Sequence, residues 1–163
     1  MRARQKQQPP SKRKLPHQHR GLRHARGPFC FTFEVETMFD VFYERANHLS
    51  DARRLVADDV QYTSALALLA VHSAISWSDA VLVKISGRVV QGKRHMRAAE
   101  ALEKQCISHK LNKDGLKHLK KLLTEKSYVS YGSQRITADE ARTLSTSAER
   151  FEAWAMQTLR RLS

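Results

Sequence analysis

From residue 34 to the end of the chain, apolar positions recur at helical spacing. Val35, Met38, Phe39, Phe42, Ala46, Leu49 and Val56 stand three, four and seven positions apart. That spacing lines one side of an amphipathic helix over roughly residues 34–57. Asp58 and Asp59 can cap a second helix, in which Tyr62, Ala65, Leu66, Leu69, Ile75, Trp77, Ala80, Val81 and Val83 are apolar almost all round until Gly87. Such a helix must be buried by neighbours on more than one side. Its length invites a membrane reading, but His72, Asp79 and several serines interrupt it, and an aspartate near mid-span is costly in lipid. A core helix is expected.

The third helix, from about Gly92, sets His95, Ala99, Leu102 and Cys106 on one face and turns Arg94, Arg97 and Lys104 elsewhere. Leu116, Leu119, Leu122 and Leu123 then mark a short fourth helix, with Lys117, Lys120, Lys121 and Lys126 as a solvated outer face, and residues 128–135 read as a loop around Gly132. Thr137-Ala138-Asp139-Glu140 is a capping box, in which the threonine hydroxyl and the glutamate satisfy free amides at a helix start. Ala141, Leu144, Ala148, Phe151, Ala155, Leu159 and Leu162 continue from it as the last stripe. Strand alternation is absent. The expected fold is all-α, an antiparallel bundle of four to five helices.

Proline and charge divide the 163 residues in two, since all four prolines and nine Lys/Arg, with no acid, lie in the first 28. Of the formal net charge of +13, that leaves +9 in this segment and +4 in the rest, where the other 20 Lys/Arg meet all 16 Asp/Glu. Residues 1–30 are expected to be a disordered basic tail, with too little apolar surface to offset the entropy of ordering, ahead of one helical domain at 31–163. The tail lacks the apolar run and cleavage site of a secretory signal. It either attracts polyanions, RNA above all, or is an inert extension ahead of a start near Met38. Cys30 and Cys106 make no C-x-x-C pair, and no H-E-x-x-H or Cys/His cluster occurs. The expectation is a cytoplasmic protein in a reducing compartment, not at a membrane, without metal or cofactor.

The segment from Gly87 to His95 carries the candidate chemistry. An arginine offers phosphate a planar fork of donors, and histidine exchanges protons near neutrality; Arg88 and His95 flank a glycine-bounded helix junction. Such spacing also arises by chance, as Arg13 and His19 show. Placed in the first turn of a helix, His95 lies where free amides and the positive dipole end favour an anion over a charged imidazole. It can then act as general base on an RNA 2′-hydroxyl, while Arg88, with Lys93 or Arg94, neutralises charge on the phosphate. The alternative is that His95 hydrogen-bonds at the bundle end and Arg88 is a solvated junction residue. Tyr128 and Tyr131 either stack on a base or anchor a loop. His72 is expected to be a hydrogen-bonded core histidine, and Asp79 to anchor a polar contact or helix pairing.

Five stretches, in this order and spacing, make residues 38–162 resemble the HEPN superfamily, helical bundles named for higher-eukaryote and prokaryote nucleotide binding. They are Phe42-Tyr43-Glu44-Arg45-Ala46, the run from Tyr62 to Ala70, Trp77-Ser78-Asp79-Ala80, Gly92-Lys93-Arg94-His95, and Tyr131 followed by Ile136-Thr137-Ala138-Asp139-Glu140-Ala141. The resemblance implies a metal-independent endoribonuclease whose Arg-x(4–6)-His motif is Arg88 and His95, assisted by Lys93, Arg94 and Tyr131. It also implies a site built from both protomers of a homodimer, which a second helix apolar on so many faces would suit. Other members of the superfamily are non-catalytic partners of nucleotidyltransferases, so a binding module docking a nucleotidyltransferase or another protein is the alternative.

Overall fold

A computed structural model describes residues 28–88 and 95–162, and their side chains at 37–88 and 96–162. The described residues form five α-helices and no strand: α1 (Pro28–Leu55), α2 (Thr63–Ser86), α3 (His95–Ser108), α4 (Leu116–Tyr131) and α5 (Ala138–Leu162). The all-α bundle expected from the apolar spacing is therefore present. α1 begins at Pro28, inside the stretch assigned to the tail; proline is tolerated in a first turn because its missing N–H has no partner there anyway. Residues 1–27, and with them most of the expected basic tail, lie outside the described residues.

α2 is the centre of the molecule and touches all four other helices. With the turn before it, Val60–Ser86 is the one described helix long and apolar enough to cross a membrane, yet 78% of its apolar window is buried inside the fold. One chain thus covers the faces for which a second copy was invoked. Trp77 is fully buried in α2; its Nε1 donates to Ser50 Oγ of α1 at 3.1 Å, and Tyr43 meets its ring edge-on at 5.4 Å between centroids. Burial of an indole with its N–H satisfied is what such a core position requires.

The helix stripes go inward as expected. Ala99, Leu102 and Cys106 of α3, Leu116, Leu119, Leu122 and Leu123 of α4, and Ala141, Leu144, Ala148, Phe151, Ala155 and Leu159 of α5 are all buried. The capping box also forms: Thr137 N and Oγ1 both donate to Glu140 Oε2 at 2.7 Å, and Glu140 N donates to Thr137 Oγ1 at 3.3 Å. These two hydrogen bonds from Thr137 hold the Glu140 carboxyl below its ordinary pKa.

Three local expectations are corrected. Asp59 caps a short 3-10 turn, Val60–Tyr62, through Gln61 N, and α2 itself starts only at Thr63. α3 is described from His95, and its expected start near Gly92 lies outside the described residues. Tyr128 to Tyr131, read as loop, form the last turn of α4, because Val129 is buried and Tyr128 packs against the core. His72 is not a core histidine; it is exposed on α2, where desolvation and the nearby charge of Lys126 lower its pKa.

One feature at the α1–α5 contact has no counterpart in the apolar pattern. Arg53 is 0% exposed. Its guanidinium donates to the Ser145 carbonyl and hydroxyl at 3.0 Å, to Glu149 Oε1 at 2.8 Å and to Glu152 Oε2 at 3.0 Å. Glu152 also accepts from Arg54. A buried charge survives only when paired and hydrogen-bonded, so this cluster fixes how the end of α1 meets the middle of α5.

Candidate functional site

The junction between α2 and α3 is built on a firm base. Val81, Leu82 and Val83 are buried in the last turns of α2. Gly87 then ends the helix with φ 64° and ψ 15°, its N–H donating to Val83 O. Glycine adopts this left-handed conformation at no steric cost, and it is the usual residue just past a helix end. Ser86 Oγ donates to Leu82 O at 2.7 Å and lies 3.5 Å from Arg88 O, tying the turn back onto the helix. Arg88 follows immediately, exposed, and without an acidic partner among the described ion pairs.

His95 is the first residue of α3, whose first turn carries no acid. First-turn amides of a helix have no partner within it, and no described carboxylate in that turn offsets the positive end of the dipole. Residues 89–94 lie outside the described residues, and Lys93 and Arg94 with them, as does the His95 side chain. Tyr131 ends α4 and is 82% exposed; no described hydrogen bond or ring contact joins it to Arg88. Among the described residues no group of three His, Cys, Asp or Glu converges in a way that would hold a metal.

Other ionisable groups stand in altered environments. Asp79 lies half-buried on α2, and desolvation raises its pKa to about 6 against the opposing pull of Arg45. Arg45 in turn rests over the Phe42 ring, 5.4 Å from its centroid. The pull of Arg45 acts from α1 on Asp79 of α2, but no described hydrogen bond or ion pair joins the two, so the polar contact expected of Asp79 is not among the described contacts. The lysines of α4 do not form one solvated face: Lys120 binds Glu103 of α3 at 2.7 Å, Lys126 is half-buried, and only Lys117 and Lys121 are exposed without ion pairs. Arg150 and Arg160 of α5 join those two along the α4–α5 groove, a grouping that neither helix's sequence announces alone. No protein-family model matches this chain, and no curated protein is significantly similar to it.

Proposed function

We propose that this chain is a HEPN-like, RNA-directed protein that cuts RNA without a metal at the α2–α3 junction. The observation that carries the reading is an exposed Arg88, outside every described ion pair, directly after the left-handed Gly87, with α3 described from His95. A phosphate reaching this junction would meet a guanidinium fork and a helix start with free amides. In the reaction proposed, the His95 imidazole takes the proton of an RNA 2′-hydroxyl. The freed 2′-oxygen attacks the adjacent phosphorus, and the bond to the leaving 5′-oxygen breaks. Arg88 neutralises the charge that builds on the non-bridging oxygens, and water protonates the leaving oxygen. The products are a 2′,3′-cyclic phosphate and a 5′-hydroxyl.

The test is cleavage of mixed RNA in EDTA by the full chain, beside Arg88→Ala and His95→Ala. Each variant is expected to lose about 10²-fold or more in rate while melting as the wild type does, because neither change removes a described core contact. A wild type inert on every RNA favours the binding-module alternative. A large loss of stability in His95→Ala gives the histidine a structural role instead. Cytoplasmic location and homodimerisation belong to the same proposal. Sedimentation equilibrium at micromolar concentration checks the dimer, and a monomer would remove the shared-site part of the reading.

A further inference from the structure

The charges of α5 are sorted by flank. Glu149 and Glu152 turn toward α1 and are held there by Arg53 and Arg54. The opposite flank, facing α4, is left with Arg142, Arg150 and Arg160. α4 meets it with Lys117, His118 and Lys121, and the two helices enclose adjoining clefts of about 480 and 420 Å3 that share Arg150. Of the acids in these clefts, Asp139 is offset by Arg142 at 3.2 Å, while Asp114 accepts from the neutral Asn112 Nδ2 at 2.9 Å and keeps its charge, one carboxylate against four cations. Lys117, Lys121, Arg150 and Arg160 take part in none of the described ion pairs, and all four are exposed.

We infer that the α4–α5 groove is a track for the phosphodiester backbone of single-stranded RNA, gripped by Lys117 and Lys121 on one bank and Arg150 and Arg160 on the other. This rests on the RNA reading above and names the surface that would hold the strand away from the junction. Three features favour a phosphate chain over other anions. Lys117 and Lys121 are one helical turn apart, about 6 Å along the axis, and Arg142 to Arg160 span about 27 Å, a line of charge suited to a polymer carrying one charge per residue. In these two clefts the wall is polar, with Thr143, Thr146 and Ser147, and Trp154 is only 7% exposed, while the adjoining apolar recess at Tyr128 and Leu144 is bordered by Glu125 and Glu140, which repel an acidic peptide. The charges sit in a recess between helices, where a flat lipid surface does not reach. His118 lies within reach of the same cations: desolvation and then the charges of Lys117, Arg150 and Lys121 lower its pKa.

The experiment measures binding of the full chain to a labelled single-stranded RNA as a function of salt. Wild type is compared with Lys121→Gln/Arg150→Gln/Arg160→Gln and with a control that loses equal charge elsewhere, Lys84→Gln/Lys104→Gln/Lys110→Gln. At a slope of about 0.7 per phosphate contact on single strands, three lost contacts make the plot of log affinity against log salt shallower by about 2. Binding then weakens about a hundredfold at 0.1 M salt. The control is expected to keep most of the wild-type slope, and circular dichroism and melting of both variants to match wild type. A groove variant with the wild-type slope overturns the inference, as does a control that flattens as much, which would mean net charge alone is at work. A groove variant that keeps RNA binding but loses binding to polyglutamate or to anionic vesicles would reassign the groove to that partner. Failure of the wild type to bind any RNA would instead sink the RNA reading itself.

Discussion

A Cβ added to Gly115 would lie 2.3–2.6 Å from three atoms of the Trp154 side chain. The indole has little room to retreat, since it stacks on Phe151 at 5.3 Å and donates through Nε1 to Asn112 O at 3.0 Å. Gly115→Ala is therefore expected to destabilise by about 1–3 kcal/mol and to alter tryptophan fluorescence, as urea denaturation will show; an unchanged midpoint would mean the indole moves freely. Asp79 gives a pH signature. Its folded pKa of about 6 lies above the ordinary 3.8 of an aspartate, so the folded state binds the proton more tightly and stability falls as pH rises between those values, levelling off above the upper one. Asp79→Asn should abolish that slope and be more stable than wild type near pH 7, by about 1–2 kcal/mol after allowance for solvent screening. Denaturation midpoints of the two chains from pH 4 to 8 check it; parallel curves would contradict it. Single residues were the hardest scale to read in advance. His72 sits in an apolar run, and periodicity does not reveal which sector of an all-apolar helix is left uncovered. Arg88 was easier, because Gly87 marks the end of α2 by its own backbone preference.

Among the elements, α1 and α5 are joined by the Arg53 cluster, whose two carboxylates differ sharply in burial. Glu152 has a side chain 7% exposed, and Glu149 one 56% exposed. Removing the buried partner leaves an uncompensated charge in the interior, so Glu152→Ala should cost about 3 kcal/mol or more. Glu149→Ala should cost under about 1 kcal/mol, in the range of exposed pairs. Equal losses in a urea titration of the two variants would contradict this assignment. α3, α4 and α5 were legible because each buries one stripe, which appears in the sequence at spacings of three and four, and α2 because it is apolar on nearly every side. The end of α4 was not, since Tyr128-Val129-Ser130-Tyr131 breaks the leucine rhythm and only packing against the core keeps it helical. Nor was Arg53 legible: its partners lie more than 90 positions along the chain, and locally it resembles any surface arginine. The basic groove was hidden for the same reason, being assembled from two helices that each look merely solvated.

For the whole molecule, the charge division sets a further expectation. Deleting residues 1–27 removes nine Lys/Arg and no acid, which should weaken RNA binding at low salt and flatten its salt dependence without changing any choice among sequences. The remaining bundle should melt at nearly the same temperature, because every described core contact lies beyond the cut. An unchanged salt slope would show that the segment does not touch RNA. Because α2 contacts every other helix and Arg53 joins α1 to α5, no helix pair can leave without disturbing the rest, and unfolding should be all-or-none. Cys106 turns that cohesion into a clock. Its thiol is 0% exposed, and burial, followed by the charge of Glu103, raises its pKa, so neither access nor thiolate character favours reaction in the closed bundle. In a Cys30→Ser chain, the rate at which a thiol reagent in excess labels Cys106 then counts how often the whole bundle opens, without denaturant and at physiological temperature.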